Sequence, residues 1–232
     1  MKLAVMQPYF FPYIGYWQLM NAVDKFVIYD DVNYIKQGWI NRNIIIENKK
    51  ANYLTLPLIK PSPNKLINEI TIFEPQKSKE KLFKRIYTAY HKAPFYENIK
   101  NLLESIILYE ETNLSKYLIN SIKLINEYLN IETILIISSK LEKSNIKKGQ
   151  DKIIEICKKL NAVHYINPIG GTKLYSKEEF ARHNIKLSFL KTNDVKYKQF
   201  GDEFIPNLSI IDVMMFNSRE KIEEMLDQYT LQ

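Results

Sequence analysis

A single cysteine, Cys157, is present in 232 residues, and one thiol cannot close an internal disulfide. It falls within the helical pattern "DKIIEICKKLNA", at a position expected to be a small apolar core residue. Histidine is nearly as scarce. His91, His164 and His183 are scattered without metal-ligand spacing, which excludes a zinc site assembled from His and Cys; no metal site is assigned, although carboxylates alone can still hold a hard cation. No apolar run approaches the roughly 20 residues needed to cross a bilayer, and Lys2 leads directly into a core strand. Neither a membrane span nor a signal peptide is therefore expected, and the chain reads as cytoplasmic. Nucleic-acid motifs, P-loop fingerprints, repeats and low-complexity linkers are also missing, so nothing divides residues 1–232 into more than one domain.

What is present is an apolar content of 46%, enough for a substantial core, and a formal charge of +7 with a pI near 9.1. The charge suggests an anionic partner. Its lysines, however, are spread along helical patterns such as "KSKEKLFKR" and "SNIKKGQDK", so solvated helix faces account for most of them. A phosphate-bearing small molecule suits this balance; nucleic acid is an unlikely partner, and no cofactor or oligomeric state is legible.

The opening reads strand ("KLAVM"), turn, helix ("GYWQLMNAVDK"), strand ("KFVIYDDV"), a βαβ unit expected to be parallel and right-handed. Three β-like runs follow, "WINRNIII", "ANYLTLPLI" and "INEITIF", expected as antiparallel strands that extend the sheet or form a flap. From about residue 77 to 130 the pattern is helical, with Ser78 and Asn113 as expected N-caps. Alternation then resumes with "TILIISS", "GQDKIIEICKKLNA", "VHYINP", "SKEEFARHN" with a capping-box spacing of Ser176 to Glu179, and "IKLSFLKT". An amphipathic helix, "SREKIEEMLDQYT", closes the pattern. The predicted class is α/β: Rossmann-like, with a mostly parallel sheet opened by a βαβ unit, an inserted β-hairpin region and a helical segment.

Ligands of α/β sheets collect beyond the carboxyl ends of the strands, and four clusters should lie there. The first is "QPYFFPYIGY": Pro8 and Pro12 stiffen a loop, Gly15 permits close backbone approach, Gln7 can donate and accept, and Tyr9, Tyr13 and Tyr16 offer stacking faces or core packing. The second is "YDDVNYIKQGWINRN". Here Asp30 or Asp31 can serve as general base, cation ligand or sugar anchor, although adjacent residues on a strand face opposite ways. Arg42 can grip a phosphate or carboxylate, with Trp39 and Asn41 nearby. The third and fourth, "SSKLEKSNIKKGQ" and "NPIGGTKLY", bring Ser138, Ser139, Lys147 and Lys148, then Asn167, Gly170, Gly171 and Tyr175. Near the end of the chain, Ser209 or Asn207 can cap a helix whose first turn carries Asp212, which either interacts with the helix end or reaches into the site.

Together, "MQPYFFPYIGYWQLMNAVDKFVIYDDVNYIKQGWINRNII", "YINPIGGTKLY" and "PNLSIIDVMMFNS" resemble the WbqC-like family over nearly the whole chain, in the right order. The resemblance implies a place in O-antigen and other surface-polysaccharide pathways. Carried over by position, the family pattern points to Gln7, Pro8, Pro12, Gly15, Asp30, Asp31, Trp39, Asn41, Arg42, Tyr165, Asn167, Gly171, Tyr175, Pro206, Ser209 and Asp212. The opening also looks like that of nucleotidylyltransferases and pantoate–β-alanine ligases, whose H-x-G-H tetrad falls on Tyr13-Ile14-Gly15-Tyr16. Tyrosine cannot supply an imidazolium charge to a developing phosphate.

The leading expectation is a transferase acting on a nucleotide-linked or lipid-linked sugar by acyl or aminoacyl transfer to a sugar amine or hydroxyl. Asp30, Asp31 and Arg42 are the expected catalytic groups, with Gln7, Tyr9, Tyr13, Tyr16, Trp39, Asn41, Asn167, Gly171, Tyr175 and Asp212 binding substrate. Nucleotidyl transfer or ATP-dependent amide ligation on the altered tetrad, and non-catalytic binding or scaffolding of a sugar intermediate, are the alternatives.

Overall fold

The computed structural model describes residues 1–144, 147–201 and 203–232. Asn145 and Ile146 of the third cluster, and Asp202 in the loop before the Asp212 helix, lie outside the described residues. The chain opens with β1 (Lys2–Met6), α1 (Ile14–Asn21) and β2 (Lys25–Ile28), followed by the hairpin of β3 (Arg42–Glu47) and β4 (Lys50–Thr55). Three helices come next, α2 (Pro75–Tyr90), α3 (Tyr96–Ile107) and α4 (Leu114–Tyr128). Then follow β5 (Ile134–Ile137), α5 (Gly149–Lys159), β6 (His164–Pro168), α6 (Lys177–Arg182), β7 (Lys186–Thr192), α7 (Ile210–Phe216), α8 (Arg219–Leu226) and β8 (Tyr229–Leu231).

Six strands form one sheet in the order β5-β2-β1-β6-β7-β8; all neighbours are parallel except β7 and β8. The parallel strands read as near-continuous apolar runs because helices cover both faces. Side chains alternate between two cores accordingly. Leu3 and Val5 of β1 pack with Ile153, Ile154 and Cys157 of α5 and Phe180 of α6, whereas Ala4 faces the larger core formed with α1, α2–α4, α7 and α8. Cys157 is fully buried, as expected, and desolvation holds its thiol up at about 12, so it stays protonated. Every residue of α1 from Ile14 to Met20 is buried, and Gln18 donates to the carbonyls of Met225 (2.8 Å) and Gln228 (3.1 Å), which ties α1 to α8.

Of the three β-like runs, the first two make a hairpin separate from the main sheet. The third, "INEITIF", is not a strand. Ile67–Glu69 form a 3-10 turn, closed by the Glu69 carboxylate accepting from the Leu66 N–H at 2.8 Å, and only isolated bridges follow, Leu58 to Ile72 and Thr71 to Asn113. The alternation is real only from Glu69 to Phe73, where Ile70 and Ile72 point inward; Ile67 is buried three positions before Ile70, out of that period, and the backbone pairs with loops. Ser78 does not cap α2. Pro75, with φ preset for a first turn, starts that helix after Glu74 at φ 38°, and the Ser78 hydroxyl donates to the Phe73 carbonyl at 2.6 Å from inside it. Asn113 caps α4 and Ser176 caps α6, as their spacing predicts. The edge strand β8 carries no sequence signal of its own, being three residues long.

Candidate functional site

Strands β2 and β5 lie on one side of β1, and β6 and β7 on the other, so the strand order reverses between β1 and β6. Beyond their carboxyl ends the diverging loops must leave a crevice. A cavity of about 400 Å³ occupies it, with Gln7, Tyr9, Tyr29, Asn167, Gly171 and Tyr175 in its wall. Asn167 donates through Nδ2 to the Tyr165 hydroxyl at 2.8 Å, while its Oδ1 packs on Gly171 so closely that any Cβ there would collide with it. Gly171 is thus required for contact, not for an unusual φ. The Gln7 side-chain amide and the Tyr29 hydroxyl have no hydrogen-bond partner among the described residues. Lys152 of α5 lies over the Tyr29 ring at 5.6 Å. Burial, the Asp31 charge and Tyr175 together push the Tyr29 phenol well above its ordinary range, so it remains a neutral donor.

The loop 7–13 is pinned along its length. Phe11 adopts the left-handed conformation, φ 44°, which costs a non-glycine residue on the order of 1–3 kcal/mol unless the surroundings enforce it. They do. Asn43 of β3, buried, donates to the carbonyls of Phe10 (3.0 Å) and Phe11 (2.8 Å), and Ser209 Oγ donates to Phe11 at 2.9 Å. The Pro12 carbonyl accepts from Trp17 Nε1 and from the Ile210 N–H, both at 3.1 Å, and the Phe10 N–H donates to the Trp39 carbonyl at 2.9 Å. Phe10 and Phe11 are core, edge to face 4.8 Å apart, which leaves Tyr9 and Tyr13 half-buried at the surface of the loop. On the far side of Tyr9 a second cleft of about 570 Å³ opens, with Pro12, Tyr13, Trp39 and Asn207 in its wall.

The paired aspartates part at the end of β2, as strand alternation demands. Asp30 is buried and accepts from the Ser139 N–H (2.9 Å), from Ser139 Oγ (2.7 Å) and, at 3.4 Å, from Ser115 Oγ. Both its oxygens are occupied in joining β2 to the turn after β5 and to the start of α4. Asp31 pairs with Lys143 Nζ at 2.7 Å, a lysine whose side chain is only 3% exposed and which also donates to the Ser138 carbonyl. Burial alone would raise the Asp31 carboxyl, but hydrogen bonds from Lys143 and Ser138 and the positive charges of Lys143 and Lys152 outweigh it and hold the group below its ordinary value, hence ionised. Asp31 Oδ1 and the Ser138 hydroxyl are both buried, and the hydroxyl helps to lower the carboxyl.

A model of the WbqC-like protein family matches residues 7–224, from the first residue of this loop to α8. The chain belongs to that family. An uncharacterized protein of Mycobacterium tuberculosis is 28% identical over 219 residues, which cover 93% of each chain.

Within this WbqC-like chain the remaining expected residues fall in several places. Tyr16 is buried against Tyr9, Trp17 and Phe26, and its hydroxyl donates to the Gln7 carbonyl at 3.2 Å. Tyr13 precedes α1 and lies over Gly15, where a Cβ would strike both the Tyr13 ring and Thr192 Oγ1. Asn41 accepts from the Tyr34 hydroxyl (2.7 Å) and donates to the Leu56 carbonyl (2.9 Å), joining the loop before β3 to the end of β4. Arg42 turns back on its own loop. It donates to the carbonyls of Gln37 and, at 3.3 Å, Gly38, and lies 4.2 Å above the Tyr53 ring, which in turn stands beside Trp39. Asp212 is fully buried, accepting from Tyr90 (2.8 Å), Tyr197 (2.8 Å) and Gln199 (2.9 Å), behind the clefts and lining neither. No cluster of His, Cys, Asp and Glu that could hold a metal ion occurs among the described residues.

Lys143 and Tyr29 emerge only from the fold. Lys143 lies in the third cluster beside Lys147 and Lys148, which are exposed, and nothing in a lysine's sequence context distinguishes the one that folds back on Asp31. Tyr29 stands one residue before the aspartates, where it reads as the end of an apolar strand. No described helix is long and apolar enough to cross a membrane.

Proposed function

We propose that the protein is a transferase that acts on a nucleotide- or lipid-linked sugar in surface-polysaccharide biosynthesis, by acyl or aminoacyl transfer to a sugar amine or hydroxyl. The observation that carries this reading is the cavity between β1 and β6, where unpartnered polar groups on Gln7 and Tyr29 meet the Gly170-Gly171 turn and the Tyr9 and Tyr175 rings. Such a wall suits a sugar diphosphate: rings against a base or pyranose, amides on hydroxyls, and positive charge beside the phosphates. Lys152 supplies that charge. The first turns of α5 also flank the cavity, through Ile153 and through Gln150 accepting from the Ser176 N–H at 2.6 Å, and add the positive end of a helix.

Acyl transfer needs a proton acceptor for the attacking group and donors for the carbonyl oxygen as it becomes negative. Asp31, kept ionised and two residues beyond Tyr29 of the cavity wall, is the proposed acceptor, and the Gln7 amide the proposed donor. Asp30 and Arg42 take positioning roles, the first holding the end of β5 and the second holding the 37–39 loop. The altered tetrad is not favoured as a nucleotidyl-transfer site, because the Tyr16 hydroxyl is engaged by the Gln7 carbonyl.

The test is calorimetry with nucleoside-diphosphate sugars of each base and, in detergent, a polyprenyl-diphosphate sugar. One class is expected to bind, and Tyr175→Ala and Asn167→Ala to weaken it by about tenfold or more, the loss of one good ligand contact. If no sugar diphosphate binds, or both variants bind like the wild type, the reading fails. Turnover of the bound sugar with an acyl donor by purified protein separates a transferase from a carrier. Asp30→Ala should leave this binding intact while costing about 2–3 kcal/mol of stability in urea denaturation, since it strips two hydrogen bonds from a buried joint.

A further inference from the structure

The second cleft, on the other side of Tyr9, has a distinct character. Trp39 is 41% exposed although its backbone carbonyl is fixed by Phe10, so the chain holds a large indole at the surface by design of the loop and not by disorder. Opposite it stand Tyr13, Pro12 and Asn207. Apart from Asn43, whose amide is spent on the loop and on the Ile44 N–H, the polar tips here are unpartnered among the described residues: Trp39 Nε1, the Tyr9 and Tyr13 hydroxyls, and the Asn207 amide. No charged side chain among the described residues lines the cleft. Arg42, the nearest guanidinium, is occupied against Tyr53 and the 37–38 carbonyls, where it buttresses Trp39 from behind.

An aromatic face ringed by neutral hydrogen-bonding groups, with no charge to satisfy, matches one common ligand chemistry. A pyranose presents an apolar face of C–H groups on one side and a circumference of hydroxyls. The volume of about 570 Å³ is ample for more than one ring and within the range of small-ligand sites. We propose that this cleft is a glycan subsite, in which a neutral pyranose lies against Trp39 and hydrogen-bonds to Tyr13 and Asn207. Tyr9, which lines both cavities, is then the partition between the glycan and the sugar diphosphate of the switch-point cavity. A role for the glycan as acceptor of the transfer rests on the proposed transferase activity; its binding does not.

The two tryptophans make the test direct, because Trp17 is fully buried with its indole N–H on Pro12, and only Trp39 can report on the cleft. Neutral trisaccharides of glucose, galactose, mannose and N-acetylglucosamine are titrated into the protein while tryptophan emission is followed. At least one is expected to shift and quench emission with saturation. Trp39→Ala should abolish binding of that trisaccharide, measured by calorimetry, while sugar-diphosphate affinity stays within about twofold. Trp39→Phe, which keeps a ring but loses the indole N–H, should retain binding weakened less than about tenfold, and so guards against a folding artefact. The proposal is overturned if no trisaccharide alters the emission, or if Trp39→Ala binds it unchanged. Saccharide binding without any sugar-diphosphate binding would instead leave this site standing and remove the donor site.

Discussion

Asn43→Ala is expected to lower stability by roughly 3 kcal/mol and to abolish measurable binding in both cavities. The side chain is buried, and its removal leaves the Phe10 carbonyl without this donor, the Phe11 carbonyl with Ser209 alone, and the Ile44 N–H, 2.8 Å from Asn43 Oδ1, short of an acceptor. Each orphaned buried group costs about 1–3 kcal/mol. Without Asn43 the left-handed Phe11 has only Ser209 to enforce it, so Tyr9 and Tyr13 lose their fixed positions. Chemical denaturation together with calorimetry checks both parts. Lys50→Ala, an exposed change on the same hairpin, should stay within about 0.5 kcal/mol of the wild type. An Asn43→Ala protein with native affinity would mean that the loop holds its shape unaided.

The second large effect concerns pH. Burial raises the Asp212 carboxyl to about 6 from an ordinary 3.8, and the hydrogen bonds from Tyr197, Tyr90 and Gln199 only partly offset it. The native state therefore binds this proton more tightly than the unfolded chain does. Its contribution to stability is fully present below about pH 3.8 and is lost as pH rises through about 6, by up to about 3 kcal/mol for such a shift. Asp212→Asn cannot titrate. The stability of the wild type minus that of the variant should accordingly fall by up to that amount between pH 4 and 7.5, measured by urea denaturation at each pH. A flat difference, or one that grows with pH, would show that the three donors favour the carboxylate over its acid.

The parallel sheet and its helices were legible because most of its strands are compact apolar runs and most of the helices have their own periodicity or cap. "INEITIF" misled for the same reason in reverse: Ile70 and Ile72 alternate in burial with their neighbours like a strand, but the segment pairs with loops and Ile67 falls out of the period. The place of the crevice was legible too, since it follows from strand order. The division of labour within it was not. Tyr9, Tyr13 and Tyr16 are chemically equivalent in the sequence, and only the path of the loop buries one and leaves two at its surface. The partners of Asp30 and Arg42, Ser139 and the Gln37 and Gly38 carbonyls, are visible only in space. Asn43 is a further case, a residue whose partners are backbone carbonyls more than thirty positions earlier.

The pins on the loop come from widely separated parts of the chain: Asn43 lies in β3, but Ser209 and Ile210 follow every parallel strand of the sheet. The cavity likewise needs residues 167–175 of the β6 exit against Gln7 at the β1 exit. A ribosome-bound chain that has emitted the aromatic loop therefore carries it without a shape until nearly all the rest has followed. Site assembly belongs to the last, long-range step of folding, which such contacts make slow. Ligand competence should consequently lag behind helix formation when the denatured protein is refolded.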